Sequence, residues 1–130
     1  MAINSQLERG LRAAIRRFWT TRMHQAEKRG SATGTKDAGS RAAVTGGAQM
    51  DGFITLVRDL LLEGGLPHAQ VFCERALGLP GWYRPEKKWD LLTVADKRLL
   101  AGVEFKSQAG SLGNNYNNRA EEAIGSATDL

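Results

Sequence analysis

The apolar residues of the N-terminal third recur every three to four positions: Ile3, Leu7, Leu11, Ile15, Phe18 and Trp19. This spacing predicts one long amphipathic helix over about residues 4–28, with Gly30 as its stop signal. From Gly30 to Gln49 the chain is rich in Gly, Ala, Ser and Thr, with Val44 the one large apolar residue, and reads as a loop. MDGFITLVRDLLLEGGL returns to helical periodicity and stops at Gly64 and Gly65. Pro67 suits the first turn of a further helix, HAQVFCERALG, expected to end near Gly78 and to carry Cys73 as a small buried hydrophobe.

Beyond Gly78 the pattern shortens. LPGWYRPEKK is a connector with room for a short strand around Trp82 and Tyr83, whose rings, like that of Trp89, are expected to pack. WDLLTVA and LLAGVEFKS are two β-prone runs around ADKR and predict a hairpin. SQAGSLGNNYNN follows as a Gly/Asn loop with Tyr116 as a core or staple residue, and Asn117 or Asn118 caps a last helix with Ala120, Ala123, Ile124, Ala127 and Leu130 on its apolar side. The fold class is α+β: N-terminal helices packed on a mixed β-sheet followed by a helix. A two-stranded hairpin is marginal alone and the last apolar stripe runs to the final residue, so the sheet is expected to be incomplete. The expected organisation is a basic amphipathic helix at 1–29, a Gly/Ala-rich loop at 30–50 and a partial core at 51–130.

Composition narrows the function classes. The 130 residues are 42% hydrophobic and 25% charged, ordinary for a soluble globular domain. No apolar run approaches the roughly 20 residues of a membrane span, and the N-terminus lacks the layout of a secretion signal, which makes the expected compartment cytoplasmic. The lone cysteine offers no disulfide partner, and neither His24 nor His68 has companion ligands nearby in sequence. The net charge of +4 is uneven, because residues 1–41 hold nine Lys and Arg against Glu8, Glu27 and Asp37. An arginine-rich helix can neutralise phosphates, although a solvated helix face is also charged.

The second β-prone run carries Glu104 and Lys106 two residues apart, hence on one face of a strand. One explanation is a solvated edge; the other is chemistry, with Asp90 on the preceding run as a second carboxylate. Two carboxylates bind a hard divalent cation such as magnesium, and a lysine beside them can orient water or offset charge developing at phosphorus. Register tests the second explanation, because directly opposed residues share a face and a slip of one residue moves a side chain to the other face. Asp90 opposes Glu104 when Asp96, Lys97 and Arg98 form a three-residue loop or when a bulge is present; a plain two-residue turn opposes it to Val103 instead.

Asp90, a spacer, then Glu104-Phe105-Lys106 resembles the PD-(D/E)xK nuclease motif, with Trp89 where a proline often stands. The longer runs GWYRPEKKWDLL and EFKSQAGSLGNNYNNRAEEAIGSATDL resemble the XhoI family of type II restriction endonucleases over most of residues 79–130. The resemblance implies a restriction-endonuclease-like core that hydrolyses phosphodiester bonds in double-stranded DNA with Mg2+. It implies that Asp90 and Glu104 ligate the metal, with the Phe105 carbonyl as a further ligand, and that Lys106 is the catalytic lysine. Related nucleases often add an acid from a preceding helix, here Glu74 first and Glu63 second. Family members are similar in cutting CTCGAG as homodimers, since a two-fold protein matches a two-fold site. Gln108, Asn114, Asn115, Asn118 and Arg119 are the candidate DNA contacts, asparagine for adenine edges and arginine for guanine or phosphate, although GNNYNN also makes a plain Asx turn. Two competing readings are a non-catalytic DNA-binding remnant and a DNA-repair nuclease of the same superfamily.

Overall fold

The structure is a computed structural model that describes residues 5–33, 47–74, 76–107 and 112–129. The chain divides into two compact units, Met1–Leu56 and Val57–Leu130. In the first unit, helix α1 covers Ser5–Thr33 and therefore runs through Gly30 rather than ending there. A single glycine lowers helix stability by about 1 kcal/mol, which good formers on either side offset. The buried face of α1 is not the large apolar stripe: Ala14 is buried, whereas Leu11, Ile15 and Trp19 stay exposed. Small residues make the contact. A Cβ on Gly52 would lie 3.1 Å from the Ala14 Cα, so the glycine lets the backbones approach. Phe18 meets Phe53 edge-on at 6.2 Å, and Arg17 pairs with Asp51 at 3.3 Å. The expected loop at 30–50 falls largely outside the described residues; its last part is a 3-10 turn at Ala48–Met50.

Helix α2 spans Asp51–Glu63 and stops where its glycines predict. Gly65 takes a φ of 97°, its amide bonds to the Leu62 carbonyl, and the Leu66 amide reaches back to the Leu61 carbonyl at 3.1 Å. That pair of bonds is a Schellman ending.

The helix expected over HAQVFCERALG does not form. Pro67 leads into a 3-10 turn at His68–Gln70, and Val71–Cys73 is a strand, β1. Val71, Phe72 and Cys73 are consecutive β-prone residues; an apolar run so short fits either period, and an available partner strand decides. That partner is β4 (Leu91–Ala95), which pairs antiparallel with β1, Phe72 opposite Leu92. Cys73 is half-buried in this strand.

Two further short strands, β2 (Gly78–Leu79) and β3 (Lys87–Lys88), form a separate antiparallel pair around the GWYRPE connector. No strand forms at Trp82 and Tyr83, and both rings are exposed rather than packed, while Trp89 is buried as expected. Strand β5 (Arg98–Val103) completes a three-stranded sheet in the order β1-β4-β5. Leu91, Leu92 and Thr93 of the central strand are its most deeply buried residues. The last helix, α3 (Leu112–Thr128), begins earlier than its expected asparagine caps, so the GNNYNN stretch is helical rather than a loop. Tyr116 and Ile124 on it are exposed. The α+β class therefore holds, and all strand pairs among the described residues are antiparallel.

Candidate functional site

The hairpin β4–β5 solves the register problem in a way the turn residues alone did not specify. Ala95 pairs with Arg98, so the turn is the two-residue Asp96-Lys97, with φ of 50° and 62° at those positions. Two positive values define a type I′ turn, adopted here without the glycine that usually relieves it. Taken alone that turn would oppose Asp90 to Val103. A bulge intervenes: Val94 pairs with Leu99 but Thr93 pairs with Ala101, which leaves Leu100 as the extra residue. Below it Leu92 pairs with Gly102 and Leu91 with Val103. One step further along both strands, Asp90 stands opposite Glu104.

Regular pairing ends at Val103, so Glu104 to Ser107 lie beyond the strand rather than within it. Asp90 provides the replacement. Its carboxylate Oδ2 accepts the Phe105 amide at 2.9 Å, and its main-chain carbonyl accepts the Glu74 amide at 3.2 Å. A carboxylate thus takes the place of a ladder carbonyl and holds the segment after β5 against the end of β4.

Glu104 and Lys106 share a face as their spacing predicts, with Lys106 Nζ donating to Glu104 Oε1 at 2.9 Å. The other Glu104 oxygen, Oε2, is buried without a hydrogen-bond partner among the described residues. A buried carboxylate oxygen left unpaired is costly unless something else binds it. Opposed carboxylates, one with such an oxygen, are a donor set that suits a hard divalent cation. No three His, Cys, Asp or Glu side chains converge on one point among the described residues. Glu74, expected on a helix before the sheet, is instead an exposed turn residue after β1, at φ 58°. Glu63 is the exposed last residue of α2.

A cleft of about 440 Å³ opens beside this strand end, lined by Glu104 and Lys106, by Arg84, Lys87 and Lys88, and by Glu122 of α3. Glu122 reaches Lys106 Nζ at 3.9 Å and pairs with Arg119 at 2.6 Å. The candidate reading residues on α3 meet mixed outcomes: Asn118 is exposed and Arg119 half-buried, Asn114 and Asn115 lie in the first turn, and Gln108 falls outside the described residues.

Lys87 is a residue of the site that the sequence pattern did not mark. It is 6% exposed, its Nζ sits 4.0 Å from the centroid of the Trp89 ring, and it donates to the Ser126 carbonyl at 3.4 Å. Burial pushes its amine below the ordinary lysine range, opposed by the attraction of Glu104. The available signal was parity: Lys87 and Trp89 are two apart in extended chain and share a face, and Trp89 was already expected to be inside.

The far end of α3 braces the rim of the cleft. Asp129 is buried, accepts the Tyr83 amide through Oδ1 at 2.9 Å, and pairs with Arg84 through Oδ2. No room remains at Gly81 for a side chain, since a Cβ there would stand 2.6 Å from Asp129 Oδ1.

The chain is similar in sequence to known proteins. The family model for restriction endonuclease XhoI matches residues 28–130. The type II restriction enzyme AbrI of Azospirillum brasilense is 47% identical over 125 residues, 95% of this chain and 55% of that protein. BstVI of Geobacillus stearothermophilus is 52% identical over 101 residues, 73% of this chain and 45% of that enzyme. XhoI of Xanthomonas vasicola is 43% identical over 129 residues, 97% of this chain and 51% of that enzyme. The chain thus spans about half the length of the curated relatives it matches. No solved structure matches it. With most of its length matched by the family model, the chain belongs to the XhoI restriction endonuclease family.

Proposed function

We propose that this chain is the metal-ligating, lysine-bearing part of a type II restriction endonuclease that hydrolyses phosphodiester bonds at the palindrome CTCGAG in double-stranded DNA. The observation that carries the reading is the bulged register, which opposes Asp90 to Glu104, a residue whose buried Oε2 has no hydrogen-bond partner among the described residues. Asp90 and Glu104 hold Mg2+, with the Phe105 carbonyl as a further ligand. When bound, magnesium supplies Lewis acidity at a phosphoryl oxygen and makes water easier to deprotonate. Lys106 orients the attacking water and offsets the charge developing on the phosphoryl oxygens, a role that its ion pair with Glu104 preorganises. Asn118 reads adenine edges and Arg119 guanine or phosphate, with Gln108, Asn114 and Asn115 in supporting contacts.

The enzyme acts as a homodimer, because a palindromic duplex presents each half-site once to each of two identical protomers. Its place of action is the cytoplasm, where DNA is met; no helix among the described residues is long and apolar enough to cross a membrane.

The test uses this chain and a version extended to the length of its relatives, each incubated with a plasmid bearing CTCGAG, with and without magnesium. The extended protein should give discrete magnesium-dependent fragments, and Lys106→Ala should slow cleavage by about 10²–10³-fold, as loss of one charge-stabilising donor does. Cleavage that persists unchanged in both Lys106→Ala and Glu104→Ala would falsify the assignment.

A further inference from the structure

The cleft contains a buried cation that the proposed chemistry does not use. Lys87 and Trp89 point inward from one face of an extended segment, with the intervening Lys88 outward and exposed. An apolar side chain would pack beside Trp89 without the desolvation that an ammonium suffers there. The contacts described for Lys87 Nζ, one carbonyl and one ring face, are weaker compensation than a carboxylate at hydrogen-bonding distance. An ammonium has three donors, and the Ser126 carbonyl takes one.

Four basic residues, Arg84, Lys87, Lys88 and Lys106, line the cleft together with three carboxylates, Glu86, Glu104 and Glu122. Lys87 lines the same cleft as Glu104 and Lys106, and Arg84 and Lys88 line it from the same β2–β3 hairpin. Arg84 is held there by buried Asp129, which fixes the hairpin's connector to the end of α3. A local rule broken without a structural gain is expected where function requires it.

We propose that Lys87, flanked by Arg84 and Lys88, is a phosphate-binding subsite of the cleft that grips the DNA backbone beside the Asp90–Glu104–Lys106 edge. It rests on the DNA-cutting reading above, and the ligand is a phosphodiester of duplex DNA. Lys87 holds one phosphate at a fixed distance from Lys106, so that a neighbouring phosphate meets the two carboxylates. The contact is to backbone alone and carries no base preference.

The experiment compares the full chain with its Lys87→Met variant in binding a fluorescein-labelled duplex containing CTCGAG, by anisotropy across a salt titration without metal. Methionine keeps the apolar stem over Trp89 and removes the charge. The variant should bind CTCGAG and a scrambled duplex more weakly by the same factor, with a slope of log affinity against log salt smaller by about 1. A second measurement on the wild-type chain avoids any dependence on the variant folding: acetylation of Lys87 by acetic anhydride, mapped by mass spectrometry, should slow several-fold when duplex is bound. Wild-type binding with an unchanged slope in a folded Lys87→Met, or with Lys87 acetylated equally fast in the complex, overturns the subsite alone. A wild-type chain without salt-dependent affinity for either duplex overturns the DNA-cutting reading and the subsite together.

Discussion

The two hairpins that flank the cleft are built by opposite means. The β4–β5 hairpin sets its own register: a two-residue turn and a bulge at Leu100 bring Asp90 opposite Glu104, while β1 pairs with the other edge of β4. The β2–β3 hairpin has only two pairs, Gly78 with Lys88 and Leu79 with Lys87, around a connector that leaves Trp82 and Tyr83 in solvent. Such a short ladder is marginal alone, and its geometry comes from Asp129 at the end of α3. The carboxylates and Lys106 are thus placed by local register, whereas Arg84 and Lys87 are placed by a tertiary brace. The Asp90–Glu104–Lys106 edge should therefore survive damage that the rim carrying Arg84 and Lys87 does not.

Removing the brace gives the largest expected effect. Asp129→Ala strands the Tyr83 amide and leaves Arg84 without its buried partner. A charged hydrogen bond of this kind contributes about 1.5–3 kcal/mol, and Arg84 is half-exposed, which favours the lower part of that range. Urea denaturation should show a loss on the order of 2 kcal/mol, and proteolysis should nick the 81–85 connector first. A loss below about 0.5 kcal/mol would mean that the short hairpin stands by itself, and the contrast between the two hairpins would collapse.

That contrast also explains what could be read in advance. The hairpin β4–β5, the shared face of Glu104 and Lys106, and the need for an odd loop or a bulge all follow from the two-residue period of a strand, which is a local property. The helix expected at HAQVFCERALG failed because Val71, Phe72 and Cys73 suit both periods, and β4 was available to pair with them. GNNYNN looked like a loop since Asn and Gly are poor helix formers, yet α3 extends through it. Lys87 was hidden because a Lys-Lys pair resembles a solvated face, and Trp82 and Tyr83 looked like core because large aromatic rings usually are. The misses at Val71–Cys73 and at Lys87 involve residues whose position depends on a partner distant in the chain.

A smaller effect, of opposite sign, is expected in the β4–β5 hairpin. Asp96 and Lys97 both occupy left-handed backbone, at φ 50° and 62°, a conformation that costs most side chains about 1 kcal/mol each. Changing the pair to Asn-Gly supplies the residues that a type I′ turn prefers and leaves the register alone. The melting temperature should rise by about 4–8 °C, the shift that about 1 kcal/mol produces in a domain of this size class. Cleavage by the extended protein should be unchanged. A fall in melting temperature would show that Asp96 or Lys97 makes an interaction worth more than the strain.

The smallest expected effect is the sharpest about register. Leu100 has no partner across the ladder and its side chain is 55% exposed. If Leu100 is deleted, Leu99 still pairs with Val94 and Ala101 still pairs with Thr93, so every pair below, including the approach of Asp90 to Glu104, keeps its phase. The bulge is thus needed only to reconcile a two-residue turn with the length of β5; a regular ladder one residue shorter arrives at the same place. Stability should change by less than about 1 kcal/mol, since the more regular ladder offsets the removal of a side chain that buries little apolar area. Magnesium-dependent cleavage by the extended protein should stay within about tenfold of wild type, as expected when the strand end keeps its twist. Cleavage abolished in a variant that remains folded would assign the bulge a further role, through the extra twist it gives the strand end that carries Glu104.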